Sequence, residues 1–268
     1  MRRFLLRLSL LFAGVLLGAC TTLVGVPSAP NAPALSASAA DAAWARTLQR
    51  FVNERGEVDF SALASDRSEL DAYVRHVAAT PLDAAAPVPQ QLAQMINAYN
   101  ALSMFNVLQS GVPETHAGLN KLHFFVLRKL EIGGQAMSLR SFENDVIRPL
   151  ARSVGDPRIH FALNCSARAC PVLPRTPFTA AGLDAELERE TLAFFARPQN
   201  FRIDDASQTV WLSELLDFYP EDFVPRPATS LLDYANRYAP QRAPPGYSVR
   251  FTPYDWTIAN SRKRGAAP

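Results

Sequence analysis

The chain has 268 residues and a formal net charge of +2, with 27 Lys and Arg against 25 Asp and Glu. This length allows one domain or at most two, and the nearly balanced charge argues against a nucleic-acid partner. Only the last eight residues, 261–268, are locally basic, and we expect them to form a disordered tail.

The N-terminal segment has the pattern of a bacterial lipoprotein signal peptide. Arginines precede an apolar run at 8–17, and the segment ends in LGAC at Cys20. The run has about half of the roughly 20 residues that a membrane-spanning helix requires. The ending resembles a lipobox, so residues 1–19 are predicted to be removed and Cys20 to be lipidated. The alternative is a secreted protein that is cleaved after Ala19.

Sequence features also predict where the protein lies and where its globular domain begins. Thr21, in place of an aspartate after the lipidated cysteine, favours the outer membrane, with the protein facing the periplasm and the membrane as a partner. Residues 20–40 are rich in Pro, Ala and Ser and carry no charge, so they are predicted to be a flexible tether. The globular domain is then expected at 41–260.

Three segments in the first half have the spacing of helices. At 44–51, apolar side chains recur at i, i+4 and i+7, and the pair Asp66 and Glu69 resembles a capping box before a second helix. A third helix is predicted from Pro89 to Gly111. It is apolar on nearly all sides, so we expect it to be buried.

The rest of the chain mixes hairpins with helices. Gly133-Gly134 and the polar turn within 200–212 each separate two apolar segments, which predicts two β-hairpins. Further predicted elements are a helix capped by Ser138, a strand at Arg158–Asn164, a helix capped by Thr179, short helices at 213–219 and 230–238, and a strand at 247–256. This order favours a single α+β domain, with several helices packed on a mostly antiparallel or mixed sheet with hairpins.

Five blocks of sequence carry a family resemblance: INAYNAL at 96–102, SLRSFENDVIR at 138–148, DPRIHFALNCSARACP at 156–171, WLSELLDFYPEDF at 211–223 and YDW at 254–256. In this order they resemble the landmarks of the domain-of-unknown-function family number 547. The resemblance implies one such domain over most of the chain after the tether, and it implies no particular reaction. Where that family commonly reads Glu-His, this chain has Glu143-Asn144.

His160 and Cys165 lie in one block and suggest a thiol catalyst. A nucleophilic cysteine requires a base within about 3 Å. If the segment is a regular strand, five residues at about 3.3 Å each place the two side chains roughly 16 Å apart, on opposite faces. A direct dyad then requires the strand to end early. Otherwise Cys170 takes part instead, or another histidine supplies the base.

The same cysteines suggest a disulfide. With Cys20 lipidated, Cys165 and Cys170 form an even pair in an oxidising compartment, and a turn of four residues brings their Cα atoms within about 4.4–6.8 Å. A redox-active pair would have the same spacing. The spacing of His160 and the two cysteines does not match the usual zinc ligand sets, so we expect no metal and no cofactor.

Polar residues in the other blocks are further candidates. Asn97 and Asn100 share one face of the most apolar helix, where an unpartnered amide costs about 1–3 kcal/mol. Either they bond to neighbouring backbone, or they orient a histidine or bind substrate. Glu143 is explained by the dipole of its helix, or it is an acid–base group. Structural or binding roles are predicted for Asp156, Arg158, Asp255 and Trp256.

Two functions follow from these candidates. The first is an outer-membrane-anchored lipoprotein that acts as an envelope binding or accessory module, with Cys165 bonded to Cys170. The alternative is a thiol-dependent hydrolase or acyl transferase, in which Cys165 is the nucleophile, a histidine such as His160 is the base, and Asn97, Asn100 and Glu143 give support. The strand geometry and the missing family histidine favour the first.

Overall fold

The computed structural model describes residues 21–29 and 34–262. The predicted signal peptide, Cys20 and the tail from 263 onward lie outside these ranges. Two parts of the predicted tether have regular structure, since a short strand forms at Thr22–Leu23 and the first helix begins at Ala37. Within the described ranges, no helix has both the length and the hydrophobicity that a membrane span requires.

Helices build the first half of the domain. They are α1 (Ala37–Phe51), α2 (Phe60–Ser65), α3 (Ser68–Ala79) and α4 (Val88–Gln109). The long, buried α4 agrees with the prediction, because Pro89 starts it and its side chains are apolar on nearly all sides. The predicted capping box is wrong. Helix α3 begins after Arg67, and Asp66 and Glu69 pair instead with arginines of α1.

Two small mixed sheets of three strands complete the α+β fold. The first has the order β1 (Thr22–Leu23), β2 (Arg128–Ile132) and β3 (Gln135–Met137), and the second has the order β4 (Phe201–Asp204), β5 (Thr209–Ser213) and β6 (Ser248–Thr252). Strand β2 pairs in parallel with β1 and antiparallel with β3, and β5 pairs antiparallel with β4 and in parallel with β6. Both predicted hairpins are therefore confirmed.

The remaining helices are short, apart from α8. They are α5 (Leu119–Leu122), α6 (Leu139–Ser141), α7 (Arg148–Ser153), α8 (Leu183–Phe195), α9 (Leu215–Phe218), α10 (Pro220–Phe223) and α11 (Leu231–Ala235). A π-helix at His123–Leu127 continues α5, and another at Phe142–Ile147 joins α6 to α7. Ser138 caps α6 as predicted. Thr179 instead lies one turn before α8, where it accepts a hydrogen bond from the Gly182 N–H.

The predicted strand at Arg158–Asn164 is wrong. The segment begins as a 3₁₀-helix, Pro157–Phe161, and then continues without regular structure. Asp156 caps this helix by accepting a hydrogen bond from the Arg158 N–H at 3.1 Å, and the proline fixes the first backbone angle. A short apolar run fits a buried strand and a buried helix equally well, so the Asp-Pro start decides its structure here.

The buried side chains form two hydrophobic cores. The first lies among α1, α3, α4 and the β1–β3 sheet, whereas the second lies under the β4–β6 sheet and is rich in aromatic rings. The 3₁₀-helix contributes to both, because Ile159 belongs to the first core and Phe161 to the second. A cleft opens between residues of the two halves.

Candidate functional site

The cleft has a volume of about 970 Å³, and both π-helical segments border it. Phe125 and Val126 line it from the first, and Glu143, Asn144 and Asp145 from the second. A π-turn adds one residue to a helical turn, and such insertions often occur at functional sites because they redirect side chains. Here the two π-helical segments direct side chains into the same cleft.

The opposite wall of the cleft is aromatic. Phe218, Tyr219 and Trp256 line it. The rings of Phe218 and Trp256 stack with their centroids 5.9 Å apart, and Phe125 meets Trp256 edge to face at 6.0 Å. These rings give one wall of the cleft an aromatic lining.

Two cations lie on these rings. The Lys121 ammonium nitrogen is 4.1 Å from the centre of the Trp256 ring and 5.1 Å from that of Phe218. The Arg148 guanidinium carbon lies 4.2 Å from the centre of the Tyr219 ring. The negative faces of the rings attract both cations, which fixes positive charge beside the aromatic wall.

Glu143 supplies a carboxylate at the base of the cleft. Its side chain is buried and accepts a hydrogen bond from the Tyr99 hydroxyl at 3.1 Å. Burial, and then the nearby negative charge of Glu143, raise the pKa of Tyr99 and of Tyr219 well above the usual value. Both phenols therefore stay protonated, and Tyr99 donates to the carboxylate.

A buried ionic cluster supports the cleft from behind. The carboxylate of Asp222 accepts hydrogen bonds from His160 Nε2 at 2.7 Å and from Arg148 Nε at 2.8 Å, and it also contacts Arg152. Burial acts to raise the pKa of Asp222, but these hydrogen bonds outweigh it and hold the pKa below the usual range. Arg148 also donates to Asn144 Oδ1 at 2.6 Å, so Asn144 belongs to this cluster.

The Cys165 and Cys170 sulfurs lie at disulfide distance from each other, with their Cα atoms 6.3 Å apart, and both residues are buried. The Tyr254 hydroxyl donates a hydrogen bond to Cys170 Sγ at 3.1 Å. His160 Nε2 is engaged by Asp222, and its ring stacks on Tyr219 with centroids 4.6 Å apart. The structure therefore shows no hydrogen bond between the proposed base and the proposed nucleophile.

Another imidazole approaches the cysteine, but at its backbone. His116 Nε2 lies 2.9 Å from the carbonyl oxygen of Cys165. A carbonyl oxygen only accepts hydrogen bonds, so this ring donates to it and does not activate the sulfur.

The two asparagines bond mainly to backbone groups. Asn97 accepts from the Phe178 N–H at 2.9 Å and donates to the Phe178 carbonyl at 2.8 Å. Asn100 donates to the Ala162 carbonyl at 3.0 Å and accepts from the Asn164 N–H at 2.8 Å. Asn97 thus holds α4 against the backbone of Phe178, and Asn100 holds it against the backbone at 162–164. Neither amide lines the cleft.

Of the four residues with predicted structural or binding roles, Trp256 alone lines the cleft. Arg158 donates to the Asp156 carboxylate at 2.8 Å, and hydrogen bonds from Arg158 to this and other carboxylates raise its pKa. The side chain of Asp255 accepts a hydrogen bond from the Thr257 N–H at 2.9 Å. These two acids and the arginine therefore organise local backbone and helix packing.

Several residues of the cleft and of the ionic cluster behind it were missed by reasoning from the sequence. Tyr219 and Asp222 lie in the fourth block and Arg148 ends the second, but the polar groups of these blocks were not singled out. Lys121 lies in no block, and it acts through rings that are distant in sequence. In the described part of the chain, no group of three or more His, Cys, Asp or Glu residues has a geometry that could hold a metal ion.

Taken together, these features define an α+β domain with a partly aromatic, partly ionic cleft between two cores. Residues 85–195 match the family model described as "Protein of unknown function, DUF547". This match supports the family resemblance over that segment, which contains the first three sequence blocks, whereas the blocks at 211–223 and 254–256 lie beyond it. No curated protein and no solved structure matches the chain.

Proposed function

We propose that the protein is a lipoprotein anchored through Cys20 in the outer membrane, facing the periplasm, and that its domain binds an envelope ligand. The cleft between the cores is the binding site. The ligand is a sugar ring that carries an acidic substituent, a chemistry that occurs in the glycan of the bacterial cell wall.

The observation that carries this proposal is the arrangement of three chemistries in one cleft. Phe218 and Trp256 line the cleft with aromatic rings, Lys121 lies against these rings, and Glu143 lines the cleft with a carboxylate. Sugar rings have apolar faces that stack on aromatic side chains, hydroxyls that donate to a carboxylate, and, when acidic, a group that pairs with an ammonium. The cleft volume of about 970 Å³ lies in the range of sites for small molecules.

A thiol-dependent hydrolase or acyl transferase with Cys165 as nucleophile has weaker support. The sulfur lies at disulfide distance from Cys170, and the ring of His160 bonds to Asp222. A nucleophilic thiol must be reduced and must have a base within reach. Neither condition fits this arrangement, so we favour the binding role.

Calorimetric titration tests the binding role. The full chain, purified in detergent, is titrated with soluble glycan fragments released from cell walls by a muramidase. We expect saturable binding, and the substitutions Trp256→Ala and Glu143→Gln should each weaken it by about tenfold, because each removes one stacking or charge-assisted contact. Trp211→Ala is the matched control. Trp211 lies on β5, where it packs beside Arg202 of β4, and it does not line the cleft. Equal affinity in all four proteins would contradict the proposal.

Membrane fractionation tests the anchor. Cys20→Ser removes the only thiol at the predicted lipidation site, so we expect this variant to move from the membrane fraction to the soluble periplasmic fraction. Unchanged sedimentation with the outer membrane would refute anchoring through Cys20.

A further inference from the structure

A second, smaller pocket of about 260 Å³ lies apart from the cleft, at the start of strand β2. Neighbouring residues of a strand point to opposite faces, and here Arg128 lines this pocket whereas Lys129 lines the cleft. His116, Asn120 and His123 also line the pocket.

The pocket contains a buried guanidinium without a counter-ion. Arg128 is 7 % exposed, and its Nε donates to Asn106 Oδ1 at 2.5 Å. No carboxylate of the described residues lies within ion-pair distance of it, and burial lowers its pKa. Burying an unpaired charge is costly, and an anion in the pocket would offset that cost by bonding to the remaining guanidinium N–H groups.

The pocket also contains a buried hydrogen-bond acceptor without a partner. His116 is fully buried, and its Nε2 is bonded to the Cys165 carbonyl, so Nε2 carries the proton and Nδ1 has a lone pair. Among the described residues, Nδ1 has no hydrogen-bond partner. Burial lowers the pKa of His116 to about 4, so the ring is neutral near neutral pH. Such an acceptor is satisfied by a ligand that carries an O–H group.

The position of the pocket relates it to the proposed anchor. Thr22 pairs with Arg128 in the parallel register of β1 and β2, and Thr22 is the second residue after Cys20. A chain spans at most about 3.6 Å per residue, so a lipid on Cys20 would hold this end of the domain at the membrane surface. Helix α5, which carries Asn120, also exposes two leucines, with Leu119 84 % and Leu122 48 % exposed.

We infer that this pocket binds a phosphate monoester group, with Arg128 bonded to the anionic oxygens and His116 Nδ1 accepting the P–O–H proton. The location at the proposed anchor favours the headgroup of a membrane lipid as the source, and this part rests on the proposed function. Sulfate and phosphodiesters have the charge but lack the O–H group, so the pocket should discriminate against both.

The first experiment uses the full chain in detergent and inorganic phosphate as the probe, measured by calorimetry. We expect saturable phosphate binding that sulfate does not displace. Arg128→Gln should weaken it by about tenfold or more, since it removes a charge-assisted hydrogen bond, and Arg128→Lys should weaken it less because the charge remains. Arg250→Gln is the control and should bind as the wild type does, because Arg250 is exposed on β6 and lines neither the cleft nor this pocket.

The second experiment identifies the source of the phosphate. Binding to phosphatidylcholine vesicles that contain phosphatidic acid is compared with binding to vesicles that contain phosphatidylglycerol at matched surface charge. A preference for phosphatidic acid that Arg128→Gln abolishes supports a lipid headgroup. Phosphate binding without this preference supports a soluble phosphate monoester.

Three results would overturn the inference: no saturable phosphate binding by the wild type, equal affinity for phosphate and sulfate, or equal binding by wild type and a folded Arg128 variant. If Arg128→Gln does not fold, two comparisons still test the inference. The first compares phosphate with sulfate on the wild type, and the second compares phosphate binding by Arg128→Lys with that by the wild type. The phosphate titration of Cys20→Ser separates the two proposals, because loss of anchoring leaves the pocket intact.

Discussion

The two cores differ in how they satisfy their buried polar groups. In the first core, amide side chains of α4 such as Asn97 and Asn100 bond to backbone of neighbouring segments. The second core, where Phe161 and Phe223 pack with other rings, adjoins a buried charged cluster in which Asp222 joins His160 to Arg148. The first arrangement holds segments in place, whereas the second places charge behind the cleft.

The largest effect is expected where the charged cluster is broken. Asp222→Ala removes the acceptor of His160 Nε2 and the buried carboxylate partner of Arg148, so the free energy of unfolding should fall by about 3–5 kcal/mol. Urea denaturation measures this change. Glu221→Ala is the control, since Glu221 pairs with the same arginine but is exposed, and it should cost less than about 1 kcal/mol. Equal losses of unfolding free energy in both variants would contradict the expectation that the buried Asp222 stabilises the protein more than the exposed Glu221.

The first core is tested through one amide. Asn100→Ala leaves the Ala162 carbonyl and the Asn164 N–H without a partner, so it should destabilise the protein by about 3 kcal/mol, at about 1–3 kcal/mol for each group. Ser103→Ala is the matched control on the same helix, because the buried Ser103 hydroxyl has no hydrogen-bond partner in the described ranges and its loss should be neutral or slightly stabilising. Ligand affinity in the cleft should not change in the Asn100 variant. A change in affinity at unchanged stability would assign Asn100 to the binding site.

The free energy of unfolding should depend on pH through His116, which lies near the boundary of the two cores. Because burial lowers the pKa of His116 from about 6.5 to about 4, the unfolded chain binds the proton more readily than the folded one. The stability contributed by the neutral ring is thus complete above about pH 6.5 and is lost as the pH falls toward 4, by up to about 3 kcal/mol. Unfolding titrations across this range should show a shallower slope in His116→Gln. An identical slope in the wild type and in His116→Gln would contradict the assignment of this pH dependence to His116.

The smallest effect is expected from the cysteine pair. A disulfide between Cys165 and Cys170 closes a short loop, so its reduction should cost only about 2 kcal/mol on the loop-entropy relation. Denaturation with and without reductant measures this difference. The double variant Cys165→Ser, Cys170→Ser should match the reduced protein and should not respond to reductant. A response in that variant would mean that the reductant acts elsewhere.

The sequence predicted those parts of the fold that local signals specify. Helix α4 has a proline near its start and a middle that is apolar on nearly all sides, and Gly133-Gly134 marks the first hairpin, so both were predicted correctly. The segment at 158–164 was not, because an apolar run does not by itself distinguish a strand from a buried helix.

The cleft depended on information that is not local. The π-helical turn that places Glu143 has no sequence signature, since it arises from packing around one additional residue. Trp256 was selected because it lies in a matching block, but its partners Lys121 and Phe218 come from other segments. Reasoning from spacing therefore found single members of the site and missed the assembly.

The most direct test of a binding role rather than a thiol enzyme is a count of free thiols. Protein purified without reductant is unfolded, alkylated, and analysed by mass spectrometry. We expect no alkylation at Cys165 or Cys170, because their sulfurs lie at disulfide distance from each other. Two alkylated cysteines, with Cys165 modified selectively in the folded protein near neutral pH, would contradict this account and restore the thiol as a catalytic group.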